Sequence, residues 1–109
     1  MPNLKEIATQ IRRDILRMVH GANSGHPGGS LGCTDYFTAL YFKILNHNPA
    51  FNMHGTNEDI FILSNGHISL VFYSSLARSG YFDLKELSTF RKINSRLQAF
   101  LLLMKIYPV

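Results

Sequence analysis

Ser24-Gly25-His26-Pro27-Gly28-Gly29-Ser30 is the stretch on which the reading of this chain turns. Three glycines and a proline in seven residues cannot lie inside a helix or strand, because glycine loses too much entropy there and proline lacks an N–H. A histidine stands in the middle, stiffened by Pro27 on one side and loosened by Gly25 on the other. Such a bend presents one imidazole and several bare backbone amides to a ligand. Residue types alone favour a plainer reading, a tight turn between helices that happens to carry a histidine.

Outward from this bend the pattern is helical. Leu4, Ile7, Ile11, Ile15, Met18 and Val19 recur at three- and four-residue spacing and predict an amphipathic helix over about Leu4–His20, with Gly21 as its stop. Ser30 is the expected N-cap of a second helix over about Leu31–Leu45, with Leu31, Phe37, Leu40, Tyr41 and Ile44 as its apolar stripe. Residues 46–59 are polar and read as a loop. Ile60-Phe61-Ile62-Leu63 is a short unbroken apolar run bounded by turn-formers, the signature of a strand covered on both faces in a parallel sheet. A third helix is expected over about His67–Arg78, ending at Gly80. The Asp83–Glu86 spacing of a capping box predicts a fourth, shorter one through about Lys92. The fold class expected is α/β, mostly helical, with about four helices and one short parallel-type strand. One strand cannot make a sheet, so the pattern reads as part of an α/β domain.

The bulk numbers narrow the function classes. A length of 109 residues allows one small domain, and 46% hydrophobic content argues against wholesale disorder. The formal charge of +4 comes from scattered basic residues without the dense stripe a nucleic-acid face requires, so no nucleic-acid partner is expected. A single cysteine, Cys33, excludes an internal disulfide and a thiolate zinc cluster. No signal peptide opens the chain, and no apolar run approaches the ~20 residues of a membrane span. A cytoplasmic setting without membrane contact is the expectation.

Asn65-Gly66-His67 is the second candidate for chemistry. It falls where the expected strand ends and a helix begins, a place where ligands collect in open α/β sheets and where unpaired amides favour phosphate. A capping loop with a surface histidine explains it equally well. His26 and His67 converging on one anionic ligand is the specific form of the idea. A metal site has little support, since no carboxylate or cysteine stands at ligand spacing. His20, His47 and His54 are expected on the surface or in loops. Cys33 is expected to be a small buried apolar group without an activating base. No Gly-x-Ser-x-Gly elbow supports a serine hydrolase.

Ile11-Arg12-Arg13-Asp14-Ile15, His20 through Leu31, Ala39 through Phe42, Phe61 through His67, Gly80-Tyr81-Phe82 and Phe90 through Gln98 together resemble the opening of transketolase. The resemblance is nearest to the separate N-terminal subunit of bacterial split transketolases and runs from about Leu4 to Gln98. It implies part of a thiamine diphosphate-binding fold and an enzyme that moves two-carbon ketol units between sugar phosphates in the pentose phosphate pathway. By the resemblance His26 is catalytic, touching substrate near the reactive carbon, and His67 binds the cofactor and its diphosphate. Thiamine diphosphate and magnesium are the implied cofactors. A complementary transketolase subunit or a homodimer is the implied partner.

The main departures from the family follow Gln98. Ala99–Val109 replaces the expected Gly-His-Pro and the stretch ending in Leu-Pro-Gly, so a third active-site histidine and the magnesium-holding segment have no counterpart here, and Leu70 stands where a proline is common. Back-translated with permitted codons, Phe100–Val109 spells the expected family text in a shifted frame. The sequence therefore divides into a transketolase part, residues 1–98, and a non-family apolar tail, residues 99–109, which reads as frameshifted. On this reading the chain alone is inactive. The alternatives are a catalytically inactive remnant that serves at most as an interaction module, and a small basic binding module.

Overall fold

A computed structural model of the chain describes residues 3–49 and 58–98. Helix α1 spans Leu4–Ala22 and is opened by Asn3, whose side chain accepts from the amides of Lys5 and Glu6. Its stop is Asn23 in the left-handed region (φ 51°), not Gly21, which lies inside the helix. Asparagine tolerates that conformation, and its amide closes onto the carbonyls of Val19 and His20. Ile11, Ile15 and Met18 are buried, as their spacing predicts.

Helix α2 spans Pro27–Ala39, and its cap lies four residues before the expected one. His26 is its N-cap and Pro27 its first residue, because proline presets the helical φ and holds the residue before it in extended space. Ser30 is therefore inside the helix and buried, where its Oγ accepts from the Val71 amide at 3.2 Å. The helix continues into a π-helical turn over Leu40–Ile44. Phe37 and Tyr41 are buried from this stretch, whereas Ile44 is 64% exposed.

Asn65, whose side chain accepts from the His67 amide, opens a 3-10 turn over Gly66–Ile68 that leads into α3, Ser69–Arg78. Ser69 through Ala77 are all buried, so α3 is the central helix, with α1 and α2 packed against it and against each other. A helix covered all round can be apolar all round. The expected fourth α-helix is a 3-10 helix over Leu84–Thr89, capped by Asp83. Glu86 does not close a capping box. Its carboxylate takes the Arg96 guanidinium instead, at 2.5 and 3.0 Å. Leu87, Phe90 and Leu97 complete the core from this side.

The architecture is mostly helical, and the expected strand is corrected. Residues 59–65 have no regular secondary structure and form no ladder among the described residues. Phe61 packs edge-on against Phe37, Tyr41 and Phe72, with centroids 5.5, 6.0 and 5.7 Å away. Ile60 and Ile62 are 59% and 71% exposed, so this segment is covered on one face only. A strand needs a neighbour to pair with, and none lies among the described residues. The apolar tail 99–109, His54 and the middle of the 46–59 loop lie outside the described residues.

Candidate functional site

The two histidines singled out by the sequence meet. Their ring centroids are 5.0 Å apart and their planes stand at 81°, edge to face. Each sits where a helical segment begins: His26 caps α2, and His67 follows Asn65 into the turn before α3. Both are exposed.

Three features bring them together. Gly29 has no side chain, and a Cβ there would lie 3.1 Å from the Ile68 Cγ2, so glycine lets the first turn of α2 and the turn beside His67 approach closely without Ile68 having to shift. One residue on, the Ser30–Val71 hydrogen bond ties the start of α2 to the start of α3. Before the pair, Gly25 makes the bend with φ 132°, against Val19, Leu70 and Phe90. A backbone angle of that kind is open to glycine and strained for other residues.

The surroundings are electropositive. His26 makes no side-chain cap to α2, and Pro27 has no amide, so the amides of Gly28 and Gly29 open the helix without a capping side chain. Helix starts of this kind favour anions, and each imidazole adds an N–H donor. The larger cavities lie elsewhere: one of about 870 Å³ beside α1 and Phe42, and one of about 610 Å³ between α1, Arg78 and the 84–92 region. The histidine pair is an open surface site. No group of three histidine, cysteine or acidic side chains placed to hold a metal occurs among the described residues.

The remaining candidates separate. His20 is exposed. His47 lies in a loop, as expected, but is half-buried and hydrogen-bonded at both ring nitrogens, to the Tyr81 hydroxyl at 2.7 Å and the Tyr41 carbonyl at 2.6 Å. Cys33 is half-buried and takes a hydrogen bond from the Tyr36 hydroxyl at 3.1 Å, which pushes the Tyr36 phenol up.

One polar cluster escaped the sequence reading. Asp14 is buried, and its carboxylate accepts from Arg78 Nε and Nη2 at 2.8 and 2.9 Å, from Ser74 Oγ at 2.8 Å and from Arg17 at 3.4 Å. Arg78 and Ser74 lie 64 and 60 positions along the chain, so no local spacing announces the partnership. The bidentate carboxylate raises the Arg78 pKa further above its ordinary value.

Comparison with known proteins gives a consistent picture. The family model for the transketolase thiamine diphosphate binding domain matches residues 4–100. Transketolase 1 of Vibrio vulnificus is 42% identical over 97 residues, covering 88% of this chain and 14% of that protein. The transketolase of Buchnera aphidicola is 43% identical over the same length and the same shares. Among solved structures, transketolase from Campylobacter jejuni superposes with a TM-score of 0.83 at 34% identity, covering 97% of this chain and 17% of that one. Transketolase from Leishmania mexicana gives 0.83 at 29% identity, covering 92% and 15%. The chain thus spans about one seventh of the length of the relatives it matches in sequence.

Proposed function

From the premise that the chain belongs to the transketolase family, through its thiamine diphosphate-binding domain, we propose that it is a segment of a thiamine diphosphate-dependent transketolase. In this reading His26 is the catalytic histidine that meets the sugar phosphate, and His67 binds the cofactor. The observation that supports it is the edge-to-face pair of imidazoles at two helix starts.

The donor set fits an anionic cofactor. Two imidazoles and the amides of Gly28 and Gly29 offer N–H groups and a positive field to a diphosphate. Thiamine diphosphate supplies the carbanion chemistry of two-carbon ketol transfer when bound. The residues of this chain bind and orient. The His67 ring holds a phosphate or ring polar group by an N–H donor. The His26 ring, on its stiff Pro27 turn, holds a substrate oxygen and can give or take its proton. Among the described residues no group of side chains fits magnesium.

By the same reading the substrates are sugar phosphates of the pentose phosphate pathway. A complementary transketolase subunit or a second copy completes the site. No helix of the described residues is long and apolar enough to cross a membrane, which suits the cytoplasmic setting proposed for it.

A second reading is an inactive segment that serves at most as an interaction module. Titration calorimetry with thiamine diphosphate and magnesium separates the two. Binding that disappears in His67→Ala supports the cofactor site, and no heat with the folded chain overturns it. Ketol transfer assayed on the 109 residues alone is expected to give no turnover; detected turnover would overturn that expectation.

A further inference from the structure

The connection leaving the π-helical turn is anchored by a third histidine. The His47 ring stacks on Tyr81 at 5.6 Å and 15° and meets the Tyr41 ring edge-on at 5.2 Å. Its Nε2 lies 2.6 Å from the Tyr41 carbonyl oxygen, and a carbonyl only accepts, so Nε2 carries the hydrogen. Its Nδ1 is left to the Tyr81 hydroxyl at 2.7 Å. Tyr81 itself is held just past the end of α3 by the hydrogen bond its backbone N–H donates to the Leu76 carbonyl.

Neighbouring residues extend the anchor in both directions. Pro49 packs over Gly80, where a Cβ would lie 3.3 Å from Pro49 Cγ and where φ is 100°. Asn46 is clamped to Asp59: the Asp59 amide donates to the Asn46 carbonyl at 2.6 Å, and the Asn46 amide donates to Asp59 Oδ2 at 2.7 Å. The departing and returning ends of the connection are thus joined one residue from His47. From Asp59 the chain carries Phe61 into its aromatic cluster and then delivers Asn65 and His67.

We infer that His47 is a positioning residue: by bridging Tyr41 and Tyr81 it anchors the Asn46–Asp59 clamp and so sets the register in which residues 59–65 bring His67 to His26. The consequence for catalysis rests on the functional reading above. The geometry does not, and it is tested without cofactor.

Long-range proton–nitrogen spectra of the labelled chain read the His47 tautomer, and ring-to-ring Overhauser cross-peaks read the His26–His67 approach. The expected wild-type result is a hydrogen on Nε2 together with a His26–His67 cross-peak. His47→Phe keeps the ring and deletes both hydrogen bonds; it should weaken that cross-peak several-fold while the α3 amides keep their shifts. His47→Gln, which again offers a donor and an acceptor, should restore part of it. Leu87→Ala, a core truncation between α1, α3 and the 84–89 helix, should leave it intact. A hydrogen on Nδ1 instead of Nε2, or an undiminished cross-peak in His47→Phe, overturns the inference. If His47→Phe does not fold, Tyr81→Phe takes its place: an attenuated cross-peak supports the anchor and an unchanged one overturns it. Failure of thiamine diphosphate to bind, with these results intact, sinks the functional reading and leaves the anchor standing.

Discussion

Polar groups are handled in opposite ways in the helix core and on the rim where α2 and the 66–68 turn begin. In the core, Asp14 is 4% exposed, and its two carboxylate oxygens accept from Arg78, Ser74 and Arg17. The Tyr73 hydroxyl donates to the Gln98 carbonyl at 2.7 Å. On the rim, His26, His67, Gly28 and Gly29 are exposed, and His26 declines the capping bond its position invites. Buried polar groups are tolerated when the protein itself satisfies them, and they then specify a fold. Exposed groups gathered at helix starts lie in the field that favours an anion. The contrast sets a region that holds the fold together against the region for which binding is proposed, and it can be attacked from either side.

Alkali gives the largest expected effect. Burial holds the phenols of Tyr41 and Tyr73 far above their ordinary value and pushes Tyr81 up to about 12. An unfolded phenol ionises near pH ~10, so the folded state binds more protons above that point. The contribution of these tyrosines is full below about pH 10; that of Tyr81 is lost as pH rises through about 12, and those of Tyr41 and Tyr73 only at still higher pH. Thermal melts should hold steady to about pH 10 and then collapse, in step with the phenolate absorbance. A phenolate signal that grows at about pH 10 without loss of helix would show that the core does not depend on its buried hydroxyls.

Asp14→Ala comes next. It leaves the Arg78 guanidinium partly buried without its carboxylate and Ser74 without its acceptor, at a cost of about 3 kcal/mol. Urea melts measure this. Thiamine diphosphate affinity of the fraction that remains folded should not change, because the cluster lies away from the histidine pair. A selective loss of affinity would merge the two regions.

These two cases also show where sequence reading reaches its limit. The glycine and proline punctuation made the bend at residues 24–26 and the turn at 65–67 legible, since backbone restrictions are local properties of residue types, but the expectation that the whole stretch to Ser30 lies outside a helix is corrected, because Pro27, Gly28 and Gly29 form the first turn of α2. The convergence of bend and turn was an inference from motif position, and it depends in space on Gly29 and Ser30, which sequence pattern assigned to a turn and a cap. Ile60–Leu63 read as a covered strand because an apolar run carries no record of whether a neighbouring strand is present. Asp14 and His47 were passed over for the same reason: their partners lie 60 and 64 positions away for Asp14 and 34 for His47 at Tyr81. The π-helical turn after α2 leaves no periodic signal that distinguishes it from α-helix.

Gly25→Ala probes the join between the regions. The residue adopts φ 132°, and the added Cβ would stand 3.2 Å from Val19 Cγ2. Strain of this kind costs about 2 kcal/mol. Because Gly25 precedes His26 directly, the substitution should also displace the ring, so stability and ligand affinity fall together. Affinity unchanged beside a full stability loss would mean that the bend is a core element only.

The smallest expected effect on stability is the sharpest test of the contrast. His26 and His67 are exposed, and their edge-to-face contact is between solvated rings. Surface substitutions away from caps and buried networks usually change stability by less than about 0.5 kcal/mol. His26 makes no capping bond that alanine would remove, and Asn65 caps the 66–68 turn through the His67 amide, which alanine keeps. His26→Ala, His67→Ala and the double variant should therefore melt within about 0.5 kcal/mol of the parent, while calorimetry with thiamine diphosphate shows binding lost in His67→Ala. If either single substitution costs about 2 kcal/mol or more, the ring pair is a structural contact like those of the core. Full stability with full loss of binding leaves the pair one explanation: two imidazoles held at helix starts for a ligand that the rest of the fold does not need in order to stand.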